Sequence, residues 1–351
     1  MKWKELLSVV SFLLIPIVIA LGWGLWFYMQ DVQNEGTPLD KHPLRGWQLQ
    51  QNRTFDHGHN IQRDANGMRP TLRLGKTHLV YTMGDSNIFG HGLSDEETLH
   101  AHLTKEFEKV NISAEAVTGA VPGYSSVQSL HQLNAVGWEL NPQLLIVGNL
   151  WSDNDIITAD ESPDVKEEDN SFWGLDLFIK DSISKIGLTE GWENRRGFRR
   201  VAPTRYGRAL DTIALKASQR GVAVLFLAPC NYALIEENDR DEYAWDVYFK
   251  IMADVADYRS VPFISGCEVL KKNNLTGRES FLDEMHPTSK LNAAYAKQIV
   301  QVLIERKWPQ QSMLPSKDAP LYSKKWKESW HKAYPEPKGN SSVVRPDNME
   351  F

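Results

Sequence analysis

Five short apolar runs alternate with segments of helical spacing, and this alternation constrains the fold of the 351-residue chain more than any other feature. The runs are His78–Met83, Ser113–Thr118, Gln143–Gly148, Val222–Ala228 and Val261–Ile264. Short continuous apolar runs bounded by Gly, Pro or polar clusters read as strands buried on both faces. Between them, Ser94-Asp-Glu-Glu97 has the capping-box pattern and opens an amphipathic helix to about Val110, with Leu99, Leu103 and Phe107 on one face. Further helices are expected around Ser125–Glu139, Thr204–Arg220, Asp239–Tyr258 and from Pro287 to about Arg306. Strands alternating with helices imply a mostly parallel sheet covered on both faces, hence an α/β domain.

The flanks differ from this core. No charged residue occurs from Leu6 to Met29, and as a helix this run spans roughly 36 Å, enough for a bilayer core of about 30 Å. Lys2 and Lys4 precede it, Asp31 and Glu35 follow it, and Trp23, Trp26, Phe27 and Tyr28 stand where an interfacial belt would sit. A retained transmembrane anchor over residues 1–30 is expected, with the rest in the periplasm or outside the cell. The rival is a cleaved signal peptide, whose apolar region would be shorter, at about 7–15 residues. Residues 31–75 then form a polar juxtamembrane segment, 76–306 the globular domain, about 156–200 an insertion suited to a lid or rim, and 307–351 a polar tail.

Composition is that of a globular protein, 42% apolar and 24% charged. A formal net charge of −6 argues against a nucleic-acid binder, because the phosphate backbone rewards clustered Lys and Arg. Two cysteines are too few for a disulfide framework. Cys230 and Cys267 each follow an expected strand, so they could bridge if those strands are neighbours, or remain two small buried thiols.

In open α/β sheets ligands bind beyond the carboxyl ends of the strands. Three polar clusters stand there: Gly84-Asp85-Ser86, Gly119–Gly123 and Asn149–Asp155. A fourth, Asp283-Glu-Met-His286, precedes the closing helix, with Pro287 suited to its first turn. Ser86 needs a base to act as a nucleophile. His286 can supply it, with Asp283 orienting the ring. The N–H groups of Ser86 and Gly123 and a side-chain amide from Asn149 or Asn154 could hold an oxyanion. Asp85 is expected to tie loop N–H groups together, and His91 to line the pocket. His57 and His59 lack a third ligand, and Asp153-Asn-Asp155 lacks EF-hand spacing, so no metal and no cofactor are expected. No Gly-x-Ser-x-Gly surrounds Ser86.

These blocks together resemble the SGNH (GDSL-type) hydrolase superfamily. Gly84-Asp85-Ser86 with Gly90 and Gly92 is similar to its first block, Val121-Pro122-Gly123-Tyr124 to its second, and Asp283-x-x-His286 to its last. Thr118 stands near the place of the second block's usual Asn. The third block departs from the usual Gly-x-Asn-Asp, reading Gly148-Asn-Leu-Trp-Ser-Asp-Asn-Asp155. Asn154, followed by Asp155, is the preferred equivalent, with Asn149 or Ser152 as alternatives. The resemblance covers roughly Leu79 to Leu303. It implies a flavodoxin-like three-layer fold and metal-free hydrolysis of an acyl ester by Ser86, His286 and Asp283, the substrate being an O-acyl carbohydrate or a lipid. Transfer to another acceptor and a non-catalytic binding or scaffold role are the alternatives.

Overall fold

The structure, a computed structural model, describes residues 39–42, 45–49, 55–56, 59–60, 68–69, 75–154, 156–157, 198–236 and 245–317. The expected anchor, most of the insertion and the end of the tail lie outside the described residues. Among the described residues no helix is long and apolar enough to cross a membrane.

The strands of the central sheet are β1 (His78–Met83), β2 (Ala114–Thr118), β3 (Leu144–Val147), β4 (Ala223–Ala228) and β5 (Phe263–Ser265). They pair in the order β2-β1-β3-β4-β5, all parallel. This is the flavodoxin-like order, whose switch point lies between β1 and β3. The helices are α1 (Ser86–Phe89), α2 (Leu99–Lys109), α3 (Ser126–Gln132), α4 (Trp151–Asn154), α5 (Pro203–Gln219), α6 (Ala233–Glu236), α7 (Trp245–Arg259), α8 (Gly266–Lys272) and α9 (Ser289–Glu305).

Period-two alternation divides the strands' side chains between two cores. Leu79, Tyr81, Met83, Leu145, Val147, Val224 and Phe226 meet α3, α5 and α7 on one face. Val80, Leu144, Ile146, Leu225 and Leu227 meet α2, α8 and α9 on the other. Each large side chain fully buried in this way contributes roughly 1.5–3 kcal/mol. On α2 the buried residues Leu99, Leu103 and Phe107 recur every four positions, the spacing that keeps one helical face against the sheet.

Several expectations shift. The capping box at Ser94 is present but opens a 3₁₀ turn over Asp95–Glu97; Thr98 then caps α2. The helix after Ser125 loosens at Leu133 into a π turn and then a 3₁₀ turn. The last strand starts two residues later than expected. Pro262 has no N–H for a ladder, although its carbonyl accepts from Phe226 N–H at 2.9 Å, and the Val261 N–H is spent on Ala256 O. Pro287 is not in the closing helix, because α9 starts at Ser289 with Thr288 at its cap.

The packed unit also extends beyond residues 76–306. Leu49 and Met68 from the expected juxtamembrane segment, and Trp308 and Met313 from the expected tail, are buried in the two cores. Leu39–His42 and Gly46–Leu49 form an antiparallel hairpin.

Cys230, just past β4, and Cys267, at the start of α8, are joined in a disulfide, so the bridged alternative holds. The bridge closes a loop with a sequence separation of 37, a constraint worth about 4 kcal/mol in the chain-entropy account. Reduction under native conditions is expected to lower stability by about that amount, read from denaturant midpoints with and without reductant.

Candidate active site

The carboxyl ends of β1, β2 and β3 are held together by backbone hydrogen bonds. Gly148 N–H donates to Met83 O at 2.8 Å, Gly119 N–H to Thr82 O at 2.8 Å and Val121 N–H to Gly84 O at 3.2 Å. Gly84 is glycine for a steric reason: a Cβ there would lie 2.5 Å from Ile88 Cγ1. The following turn starts α1, with Asp85 as its N-cap and Ser86 as its first residue.

Asp85 is fully buried. Its Oδ1 accepts from Asn87 N–H at 3.0 Å and Asn87 Nδ2 at 3.1 Å, and its Oδ2 from Ser152 N–H at 3.2 Å. It therefore joins the Ser86 turn to the loop after β3, the structural part expected of it. Burial pushes its pKa up, against the hydrogen bonds from Asn87 and Ser152 and the nearby His286.

His286 reaches Ser86 from across the chain. Its Nε2 lies 2.8 Å from Ser86 Oγ, and its Nδ1 lies 2.5 Å from Asp283 Oδ2. The segment from Asp283 to His286 is a tight turn: Asp283 Oδ1 accepts from Met285 N–H and His286 N–H, each at 2.8 Å. Leu282 N–H donates to His286 O at 2.8 Å, and Phe281 bridges to Pro287. Pro287 thus helps to close the turn. Burial would raise the Asp283 carboxyl, but hydrogen bonds from the His286 ring and from the His286 and Met285 N–H groups prevail and hold it well below the usual carboxylate range.

On the other side of Ser86, Tyr124 N–H closes a turn onto Val121 O at 3.0 Å. Gly123 within it has φ +75°, which side-chain-bearing residues rarely adopt. The loop after β3 holds the two asparagines expected as donors. Both Asn149 and Asn154 are fully buried. The Asn149 amide is committed to Tyr124 O at 3.3 Å and Ser129 Oγ at 2.9 Å. Between Asn149 and Asn154 only Ser152 is not buried. Its N–H is held by Asp85, so the hydroxyl is the group it can offer to a ligand. Ser152→Ala is expected to lower kcat at least about tenfold, up to the range for a lost oxyanion donor, with little change in Tm. Asn149→Ala is expected to lower stability by about 2 kcal/mol through its orphaned partners, leaving kcat of the folded fraction nearly intact. Side-by-side kinetics and melting curves separate the two.

Asp153 points away from any cation-binding role, since both its carboxylate oxygens accept from Ser126 N–H and Oδ1 also accepts from Ser126 Oγ at 2.6 Å. Among the described residues no group of three or more His, Cys, Asp or Glu could hold a metal. Burial pushes the Asp153 pKa up to about 7 from its ordinary 3.8, against the Ser126 hydrogen bonds and the charge of Arg200. The folded protein then keeps a proton that the unfolded chain loses, so this group reduces stability progressively as pH rises from about 4 to about 7. Asp283 acts in the opposite sense: its contribution is present above 3.8 and is lost as pH falls towards its depressed folded value. Tm is accordingly expected to fall more steeply between about pH 4 and pH 7 in the native protein than in Asp153→Asn, by roughly 5 °C. Identical slopes in a melting series would contradict the assignment.

Several contributors carried no sequence signal. Arg69 is fully buried and clamps the loop beyond α1: its Nε pairs with Asp95 Oδ1 at 2.7 Å, and Nη1 donates to Phe89 O at 3.1 Å and Gly90 O at 2.8 Å. Its Nη2 donates to Leu93 O. Trp47 comes from the hairpin; its Nε1 donates to Pro122 O at 3.1 Å and its carbonyl accepts from Tyr124 Oη at 2.5 Å. His91, expected in the pocket wall, packs its ring 4.5 Å from that of His286. Tyr232 N–H donates to Glu284 O at 2.8 Å, so the disulfide-anchored loop after β4 braces the turn that carries His286.

No family model matches the chain, and no curated protein matches it. Among solved structures, LAE5, an α/β hydrolase from the metagenome of Lake Arreo, shares 16% identity over 64% of this chain and 94% of its own, with a TM-score of 0.45. A catalytic mutant of Axe2, an acetylxylan esterase from Geobacillus stearothermophilus, shares 10% over 66% and 95%, TM-score 0.46. A lipase/acylhydrolase from Enterococcus faecalis shares 13% over 66% and 97%, TM-score 0.46. Likeness at this level assigns no activity to the chain; the reading of the site rests on its own atoms.

Proposed function

We propose that this protein is a serine esterase of the SGNH type that cleaves an acyl ester. One observation carries the reading: the hydrogen-bonded series Ser86 Oγ, His286 Nε2, His286 Nδ1, Asp283 Oδ2, at 2.8 and 2.5 Å. A serine beside an imidazole whose other nitrogen faces a carboxylate is the arrangement that general-base activation requires.

Ser86 Oγ attacks the acyl carbon while its proton passes to His286 Nε2. Asp283 holds the ring and stabilises the imidazolium. The carbonyl oxygen, now negative, is met by the N–H groups of Ser86 and Gly123, with the Ser152 hydroxyl in place of an asparagine amide. The C–O bond to the alcohol breaks, and the alcohol leaves with the proton from His286. Water then attacks the acyl-serine, His286 takes its proton, and collapse releases the carboxylic acid and returns the proton to Ser86.

A p-nitrophenyl ester series read against chain length tests the reading. Turnover is expected to be highest for acetyl and to require Ser86; no turnover of any ester by folded protein would sink it.

The same reading places the enzyme in the periplasm or outside the cell, held by the apolar run Leu6–Met29, with an O-acyl group of an envelope polymer as substrate. The run's length and the Cys230–Cys267 bridge support this location. Maleimide applied under denaturing conditions to protein from unreduced cells is expected to label neither cysteine, whereas labelling of both would oppose an oxidising compartment.

A further inference from the structure

The Val121–Tyr124 turn after β2 leaves one peptide unit to be held from outside, and Trp47 holds it. Tyr124 N–H donates to Val121 O at 3.0 Å, and Gly123 has φ +75°. With Pro122 at its second position and this glycine at its third, it is a type II turn. Backbone bonds secure the units on either side of its centre: the turn's own bond uses Val121 O and Tyr124 N–H, and Val121 N–H donates to Gly84 O at 3.2 Å. The central peptide takes part in neither. Its carbonyl, Pro122 O, accepts from Trp47 Nε1 at 3.1 Å.

The consequence follows from planarity. Pro122 C=O and Gly123 N–H belong to one planar unit, so fixing the carbonyl also fixes the direction of the N–H. Type I and type II turns differ by rotation of that unit through roughly half a turn. Proline at the second position suits both, and glycine at the third takes either sign of φ, so the local sequence permits both. The indole selects one. Trp47 is itself well fixed: its carbonyl accepts from Tyr124 Oη at 2.5 Å, and its ring meets the Tyr124 ring edge-on with centroids 5.9 Å apart. Two residues earlier, Arg45 O accepts from Gln128 Nε2 at 2.6 Å. Trp47 Cζ2 stands 3.1 Å from where a Cβ on Gly123 would be, so the ring covers the glycine. A donor on the carbonyl also polarises the amide and strengthens its N–H.

We infer that Trp47, from the hairpin outside the central sheet, is the positioning residue of the oxyanion site: its Nε1–H locks the Pro122–Gly123 peptide so that Gly123 N–H meets the developing negative oxygen. The inference rests on the esterase reading above and adds to it a residue that touches no reacting atom. Losing the bond leaves the substrate-bound ground state nearly as it was, because the demand on Gly123 N–H grows only as the carbonyl oxygen becomes negative. The mark of such a role is a fall in kcat and in affinity for a tetrahedral analogue, with KM held.

The test compares the full native chain with Trp47→Phe, which keeps a ring beside Gly123 and Tyr124 but has no N–H. The readouts are hydrolysis of p-nitrophenyl acetate and inhibition by phenylboronic acid, which adds to Ser86 as a tetrahedral anion. In the variant kcat is expected to fall about tenfold, short of the ~10²-fold of a donor removed outright, with KM within about twofold. The inhibition constant of the boronic acid is expected to rise by a similar factor. Replacing the Trp47 side chain by its benzothienyl isostere, equal in shape but without the N–H, should reproduce both changes with Tm within a few degrees of native. That variant decides the matter if Trp47→Phe folds poorly. Unchanged kcat and boronate affinity in the isostere would overturn the inference, as would a loss carried by KM or by Tm alone, while native turnover that disappears in Ser86→Ala left the esterase reading standing. Native protein that cleaves no ester would remove both.

Discussion

Ser86→Ala is expected to lower kcat/KM for p-nitrophenyl acetate by at least about 10³-fold while Tm stays within a few degrees of the native value. The hydroxyl is the group in the site that a histidine base meets, its partner His286 Nε2 being 2.8 Å away. Ser86 heads the short helix α1, whose N-cap contact comes from Asp85 rather than from the serine itself, so deleting Oγ removes little structural support. His286→Ala should cost a similar factor. The double variant should be scarcely worse than either alone, because nucleophile and base act as one unit. Additive losses, measured by steady-state kinetics on the three variants, would mean that the pair does not function together.

Asp85→Ala is expected to have the second largest effect, and of a different kind. This buried carboxylate receives three donors, two from Asn87 and one from Ser152. Its removal leaves two N–H groups and an amide without their acceptor inside the protein, a loss on the order of 3 kcal/mol. It also releases the tie between the Ser86 turn and the loop after β3. Stability and kcat should therefore fall together, kcat by about 10²-fold, since a misplacement of about 1 Å at the reacting atoms is enough for that. Asp85→Asn keeps one acceptor oxygen and should recover much of the stability and part of the rate. Denaturant melts and kinetics on both variants provide the check; a loss of rate with full native stability would point instead to direct participation of Asp85 in the chemistry.

The fold was legible where one physical rule dominated. Buried parallel strands need continuous apolar runs, so β1, β3 and β4 stand out. The expected ends were right to within a residue where a turn or helix followed directly. Near β5, Pro262 could not donate to the ladder, and the strand began later than its apolar run. Asp283 and His286 were readable together because a spacing of three suits one tight turn, although Phe281 and Pro287, not a helix entrance, close that turn.

The third loop was not readable for a geometric reason. Asn149 to Asn154 run into a single helical turn, and each residue in a helix is rotated by about 100° from the last. Which side chain faces outward therefore depends on where the turn begins, which α4 places at Trp151, leaving Ser152 rather than an asparagine at the surface. Trp47, Arg69 and Arg200 are single residues in polar surroundings, brought to the site by tertiary contacts that no local pattern encodes. The Cys230–Cys267 bridge depended on β4 and β5 being neighbours, a matter of sheet order rather than of sequence spacing.

The nucleophilic role of Ser86 is most directly tested by treating the folded protein with a fluorophosphonate and locating the adduct by peptide mass spectrometry. One covalent adduct on Ser86, absent from His286→Ala and from heat-unfolded protein, is the expected result. Native protein that takes up no label, or carries it on another residue, would contradict the assignment of Ser86 as the attacking group.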